Sequence, residues 1–482
     1  MRLHSLVAVT ALTLALSACA SSGGLHPQGT LVDAGALHAR QSLAGHEDTA
    51  AAWPAADWWT RLGDAQLSAL IGEALHDNPA LAVIDARARA AQSQAGVANA
   101  ARLPNVNTGA SASAARIPDT VLPAGGHFAA SKYVYVRFSW GLDLWGGKRD
   151  AWEAAVGAAR AAEVEAHAAR NELSVNVARA YAQLGYAFAK ADLGTAELVR
   201  ANAARALTQQ RFAAGIDNRI QLKQSDAEIA SAQQNMALAR QAVLATRSAL
   251  SVLLGKGPDR GLQIQRPHLL PQAALSVPAN LPVGLLAHRP DLVAARWRVE
   301  AASKDIRASK KDFLPNISLG ALAGVVTRGS GNLFSLPARF YQFGPSLSLP
   351  IFDGGRLRAQ LAGKDAAYDW AAAQYNQTLV AAVNQVADDF SALQSLDEQI
   401  AAQQRAYDAA KAAWDLAMQR YKAGIGSYLE ALSVRQQLLE VERGSAALAA
   451  QRADMSLQLI QALGGGYQPH ADNAPPTTST HS

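Results

Sequence analysis

A thiol at the end of a short apolar segment is the one place in this chain where residue type and context together specify covalent chemistry. Arg2 and His4 precede an apolar stretch from Leu6 to Leu16, which runs into Leu16-Ser17-Ala18-Cys19. The stretch is too short to be kept as a membrane span and has the form of a secretory signal. Small residues before a cysteine match the bacterial lipobox, in which the thiol is acylated and begins the mature chain. An ordinary signal peptide with an incidental cysteine is the alternative, but Cys19 is the only cysteine in the sequence. Ala20 follows it, where an aspartate usually means retention in the inner membrane, so the outer membrane is the expected destination. The lipid on Cys19 is the only attached group expected, with no cofactor and no metal.

No other constellation suggests bond chemistry. His-Glu-x-x-His, Gly-x-Ser-x-Gly and phosphate-loop patterns are absent, and the eleven histidines are scattered. His46-Glu47-Asp48 is the nearest approach to a cluster, and it lies in a polar leader where solvation explains it. An enzyme therefore has no support. Forty-four Lys and Arg against 39 Asp and Glu give a net charge of +5 spread along the chain, so no nucleic-acid partner is expected. Without a cysteine beyond Cys19, the roughly 460 residues that follow must be stabilised by packing and assembly.

The elements that would position any functional residue come in two copies. Leu103-Pro104-Asn105-Val106 answers to Leu314-Pro315-Asn316-Ile317, and Asn78-Pro79 to Arg289-Pro290. Leu144-Trp145-Gly146-Gly147 answers to Ile351-Phe352-Asp353-Gly354, and Arg211-Phe212-Ala213-Ala214-Gly215-Ile216 to Arg420-Tyr421-Lys422-Ala423-Gly424-Ile425. The offsets stay between 207 and 211, which marks a tandem duplication. The expected organisation is a signal peptide (1–18), a lipidated N-terminal segment with an equatorial region (19–64), and a first repeat (65–254) with a hairpin at 104–144. A proline-bearing equatorial linker (255–283) leads to a second repeat (284–463) with a hairpin at 315–352, and then to a tail (464–482) whose last residues have the composition of a disordered segment.

Within each repeat the periodicity switches from helix to strand and back. Residues 65–102 read as one helix, with Leu67, Leu70, Ile71, Ala74 and Leu75 on a stripe. Along Lys132 to Leu144 the even positions from Val134 on are apolar and the odd ones largely polar; Tyr341, Phe343, Leu347, Leu349 and Ile351 repeat the pattern. A half-buried sheet in a soluble domain is the commoner source of such alternation. Here the strands run about ten to thirteen residues, near what a tilted strand needs to cross a bilayer. No apolar run after Cys19 is long enough for a helix to do so. Four strands cannot close a barrel, and an open edge in lipid leaves polar groups unpaired, so several copies must pool strands. Three would give twelve, although strand count alone also permits two or four copies.

No proline occurs between Pro123 and Pro258 or between Pro350 and Pro469, so a very long helix follows each hairpin, about 100 Å from Gly147 to Phe212. Leu379, Val383, Val386, Phe390 and Leu393 have coiled-coil spacing, as do Leu238, Ala242, Ala245, Ala249 and Val252. The shorter helices at 65–102 and 219–254 together match the long one in length and predict end-to-end stacking. The fold class expected is an α+β membrane protein: a long helical periplasmic barrel and four transmembrane strands per protomer, completed as a twelve-stranded barrel in a trimer.

These residues resemble the TolC-like outer-membrane efflux channels, and more closely their lipidated, NodT-type branch. The stretches that carry the resemblance are Asp57-Trp58-Trp59 with Leu62-Gly63-Asp64, Asn78-Pro79-Ala80-Leu81, Leu103-Pro104-Asn105, Leu349-Pro350-Ile351-Phe352-Asp353-Gly354-Gly355-Arg356, Arg420-Tyr421-Lys422-Ala423-Gly424 and Ala462-Leu463-Gly464-Gly465-Gly466. The resemblance implies a homotrimer, contact with outer-membrane lipid, and an exit channel for drugs or other small toxic molecules. It also implies docking on a periplasmic adaptor protein and an inner-membrane efflux pump. Its adaptor-contact turns fall at Gly215 and Gly424, whose glycines also suit simple helix capping. Its periplasmic gate falls on Tyr421, Gln221 and Glu430; Gln221 stands where the family has an acid, Gly426 where it has an arginine, and Ser433 at a second acidic position. A threefold ring of Glu430 would select cations. The competing class is a structural coiled-coil lipoprotein without channel activity.

Overall fold

The structure is a computed structural model and describes residues 24–38, 47–48, 53–116, 118, 120, 128–267, 277–278, 281–329 and 331–468. The signal segment, Cys19 and the tail from 474 lie outside the described residues. In chain order the elements are α1 (Ala65–Asp77), α2 (Pro79–Ala100), β1 (Asn105–Arg116), β2 (Phe128–Leu142), α3 (Gly147–Ala213), α4 (Arg219–Leu253) and α5 (Pro258–Leu262). They continue with α6 (Leu281–His288), α7 (Pro290–Lys311), β3 (Asn316–Arg328), β4 (Arg339–Ser348), α8 (Arg356–Lys422) and α9 (Tyr428–Ala462). Glu47–Asp48, expected to lie in a solvated leader, instead pairs in parallel with Val277–Pro278. No described helix is long and apolar enough to cross a membrane.

The chain divides into two compact units. One comprises Met1–Leu31, Arg87–Ala162 and Ala294–Asn376; the other Val32–Ala86, Glu163–Val293 and Gln377–Ser482. In the first, all four strands form one antiparallel sheet in the order β1-β2-β3-β4. The register sorts the residues onto two faces. Val106, Phe138, Ala321 and Phe343 stand side by side across the four strands, as do Thr108, Val136, Ala323 and Tyr341. This face is apolar, and Tyr341 and Phe343 on it are each 82% exposed. The other face carries Asn107, Ser111, Ser113, Arg137, Ser139, Ser318, Gln342, Ser346 and Ser348, with Ser113–Ser131 and Ser318–Ser346 hydroxyl pairs at 2.8 and 2.7 Å. Its aromatic residues Tyr133, Tyr135 and Phe340 stack together and need glycine neighbours. A Cβ on Gly109 would lie 2.7 Å from the Tyr135 ring, and one on Gly324 would lie 2.8 Å from Phe340. Among the described residues, strands β1 and β4 each have one edge without a partner.

An N-terminal arm crosses the same unit. Asp369 Oδ1 accepts the backbone N–H groups of Gln28 and Gly29 at 2.8 and 2.6 Å, and Asn376 donates to the Thr30 carbonyl. Leu25 packs against Ile306, Phe313, Leu357 and Leu361. The contacts run from residue 376 of α8 back to residue 357 as the arm is followed toward its N-terminus, which is the end of α8 next to β4.

In the second unit the helix expected over 65–102 is two helices. Asn78 takes an extended backbone (φ −70°, ψ 119°), as a residue before proline must, and the N–H that Pro79 lacks ends the first ladder. Pro290 divides α6 from α7 in the same way. Each break seats the end of a returning helix. The Asn78 amide donates to the Leu253 carbonyl at 2.7 Å, and Gly255 (φ +69°) lies where a Cβ would come within 2.9 Å of Asn78 Cα. In the second copy Arg289 donates to the Ala462 carbonyl at 3.2 Å, and Gly464 (φ +98°) abuts the His288 carbonyl. The end-to-end stacking expected of the short helices is thus built twice, from a proline break and a left-handed glycine.

Leu379, Val383, Val386, Phe390 and Leu393 are all buried, as their spacing predicts. The other seam is displaced by one position. Ala232, Ala239, Val243 and Leu250 face inward, whereas Leu238 is 58% and Val252 71% exposed. Near Gly194 of α3 the helices approach closely: a Cβ there would lie 3.4 Å from Met236 Cα of α4, so Ala239 faces inward and Leu238 lies to the flank. Tyr181 anchors the core of this unit, donating to Asp64, which also caps α1 through the Leu67 N–H.

The joint geometry makes a graded prediction. Gly464→Ala must bear both the left-handed backbone and a collision with the His288 carbonyl, whereas Gly354→Ala (φ +66°) meets nothing within 4 Å. Thermal melts of purified protein should show a loss of about 1 kcal/mol for Gly354→Ala and at least ~3 kcal/mol for Gly464→Ala. Equal losses would contradict the seated joint.

Candidate channel gate

Two turns join the long and returning helices, and their backbones coincide. Ile216 N–H donates to the Arg211 carbonyl at 2.9 Å and Gly215 N–H to Phe212 at 3.0 Å; Ile425 and Gly424 repeat this onto Arg420 and Tyr421, both at 3.1 Å. This six-to-one closure needs a left-handed residue, which Gly215 (φ +72°) and Gly424 (φ +80°) supply. Ile216, Ile220, Ile425 and Leu429 remain exposed beside them.

Tyr421 is buried between the turns. Its hydroxyl donates to Asp217 Oδ2 at 3.0 Å and lies 3.4 Å from Thr208 Oγ1. The Arg211 guanidinium stacks 4.4 Å from the ring centre, donates to the Tyr421 carbonyl at 3.0 Å, and pairs with Asp217 at 3.0 Å. Burial pushes the Tyr421 hydroxyl above its ordinary range, so it remains a donor at any physiological pH. The acid that Tyr421 meets is therefore Asp217. Gln221 is occupied elsewhere: its Oε1 accepts the Asn218 N–H at 2.8 Å, closing a capping box at the start of α4. Glu430 lies in the first turn of α9, half exposed, with Arg420 Nε at 4.0 Å. That contact follows from the repeat. Gly426 replaces Asp217 in the second turn, so Arg420 has no turn carboxylate and faces Glu430.

Further into the same helices lies a polar cluster that spacing alone did not reveal. Tyr428, its ring tilted 55° to that of Tyr421 with centres 5.7 Å apart, donates to Glu228 Oε2 at 3.1 Å. Arg435 lies over Trp414, pairs with Glu197, and reaches Glu442 at 3.1 Å. Glu197, Arg200, Glu228, Trp414, Tyr428 and Arg435 line a cavity of about 30 Å³. The only sequence signal for Asp217 and Arg211 was the repeat itself. Glu228, Tyr428 and Arg435 carried none, because their partners lie some 200 residues away.

Known proteins place this architecture. The profile described as "Outer membrane efflux protein" matches residues 70–256 and 281–465, one stretch in each repeat. The chain belongs to the outer membrane efflux protein family. The multidrug resistance outer membrane protein MdtP of Escherichia coli is 32% identical over 427 residues, 86% of this chain and 87% of that protein. The fusaric acid resistance protein FusA of Burkholderia cepacia is 36% identical over 374 residues, 75% and 69% of the two chains. The crystal structure of the outer membrane protein VceC from Vibrio cholerae matches with a TM-score of 0.81 at 35% identity, covering 86% of this chain and 100% of that one. This outer membrane efflux protein is an outer-membrane channel that extends into the periplasm, and the family expected from its motifs is the family found.

The Tyr421 site predicts a local energetic signature. Arg211→Met would leave Asp217, 6% exposed, as a buried unpaired carboxylate, at a local cost of about 3 kcal/mol. Amide exchange at Ile216 and Gly424 should accelerate roughly a hundred-fold while the melting temperature of the whole chain hardly moves. Unchanged exchange would show that Arg211 does not hold the turns together.

Proposed function

We propose that three copies of this chain pool their strands into one twelve-stranded barrel through the outer membrane and form the exit channel of a tripartite efflux system. The observation that carries this reading is the four-stranded sheet with one apolar face and two unpaired edges. An aqueous lumen suits its polar face, lipid suits its apolar face, and only other copies can satisfy its edges. An inner-membrane pump and a periplasmic adaptor protein supply the cargo. The turns at Gly215 and Gly424, with Ile216, Ile220, Ile425 and Leu429 exposed beside them, offer the adaptor an apolar docking surface. Drugs and other small toxic molecules are the cargo class, in keeping with the multidrug and fusaric acid resistance named for two relatives.

A lipid on Cys19 anchors the channel beside its barrel. The arm supports this, since its contacts lead from Asn376 toward Leu357 and β4 as the chain approaches Cys19. Tyr421, held by Asp217 and Arg211, is the closing element at the tip, and Glu430 supplies negative charge on an exposed face nearby. Gln221 contributes by fixing the start of α4.

Conductance of the purified protein in planar bilayers tests the reading. The wild type should pass small currents; Tyr421→Phe and Asp217→Asn should raise them several-fold by freeing the tip, and Glu430→Gln should weaken cation preference. A chain that passes no current in any variant would be a structural coiled-coil lipoprotein instead.

A further inference from the structure

The cluster beyond Tyr421 joins the same two pairs of helices, α3–α4 and α8–α9, yet it is built of charged groups facing a cavity. Glu228 Oε1 and Arg435 Nη1 are buried and have no hydrogen-bond partner among the described residues. Arg435, 7% exposed, draws Glu197 of α3 and Glu442 of α9 together. A purely supporting contact in an alanine-rich helical wall would be apolar, because replacing a buried ion pair by hydrophobic side chains is commonly neutral or stabilising. Partial satisfaction is costly to retain, and here it is placed where the helices must part if the tip opens.

We propose that Glu228, Tyr428 and Arg435 form a second latch, distinct from the Tyr421 lock, which holds the two helix pairs of one protomer together in acid and loosens as the pH rises. The idea rests on the channel reading given above. Glu228 is faced by Glu197 and Arg200 from α3, by Tyr421 from α8, and by Tyr428 and Arg435 from α9, with Glu442 behind Arg435. Burial is the largest influence on its carboxyl and raises it above the ordinary carboxylate range; the Tyr428 hydroxyl works the other way, and the negative charge of Glu197 adds to the rise. A carboxyl so raised binds its proton more tightly when latched than when hydrated. The latched state is therefore favoured below the raised value and loses that advantage as the pH climbs through it.

The test uses the full-length protein at about pH 5 and about pH 7.5, with bilayer conductance and amide exchange across residues 194–232 and 425–442 read in parallel. The wild type should exchange faster and conduct more at the higher pH, by roughly three-fold or more. Glu228→Gln, neutral throughout, should hold the acid level of both at either pH. Tyr428→Phe should exceed the wild type at the higher pH, because the one hydrogen bond that favours the ionised carboxylate is gone. A pH response in Glu228→Gln equal to that of the wild type would overturn the latch. Absence of current with the expected exchange pattern would uphold the latch and fault only the channel reading.

Discussion

The unpaired edges of β1 and β4 are the constraint from which the remaining features follow. A strand edge presents a row of backbone N–H and C=O groups, and in hydrocarbon each one left unsatisfied costs several kcal/mol. Soluble proteins blunt such edges with charge, proline or covering loops. Here most side chains along β1 are small, Asn105 to Ala115 carrying no charge before Arg116, and β4 bears its one proline at Pro345. The β1 edge carries no such device before its last residue, and on β4 only Arg339 at the start and Pro345 interrupt an otherwise uncharged edge. Glycines at 109 and 324 let the aromatic cluster on the polar face lie flat, so that face stays thin.

Duplication supplies the rest economically. The same proline break and left-handed glycine seat the returning helix in both copies, and the same six-to-one turn ends both long helices. Where the copies diverge, new chemistry enters. Asp217 in one turn and Gly426 in the other make an asymmetric pair of caps, in which Arg211 is committed to Tyr421 and Asp217 while Arg420 faces the half-exposed Glu430.

Much of this was legible in the residues. Strand pairing partners, the polar and apolar faces, both long helices and the seam at Leu379 to Leu393 follow from periods of two and of three to four, which local geometry enforces. The breaks at Pro79 and Pro290 were legible too, had the pre-proline restriction been weighed against the stripe from Leu67 to Leu75. What failed was the register of the α4 seam: the run Leu238, Ala242, Ala245, Ala249 and Val252 has the right spacing but sits one position off the buried Ala239, Val243 and Leu250. Where α3 and α4 come as close as Gly194 and Met236, Ala239 faces inward and Leu238 is displaced. At the turns the sequence singled out Tyr421 with Gln221, but the carboxylate its hydroxyl meets is Asp217, reached through a turn whose geometry no alignment of types conveys. Glu228, Tyr428 and Arg435 left no local trace, since a buried polar group is defined by partners distant in sequence.

The central claim is that no single copy can satisfy its strand edges in a membrane. Light scattering of the detergent-purified protein, corrected for bound detergent, measures this directly. A stable particle of three times the protomer mass is the predicted result; a stable monomer in mild detergent would leave both edges of the sheet open and contradict the account.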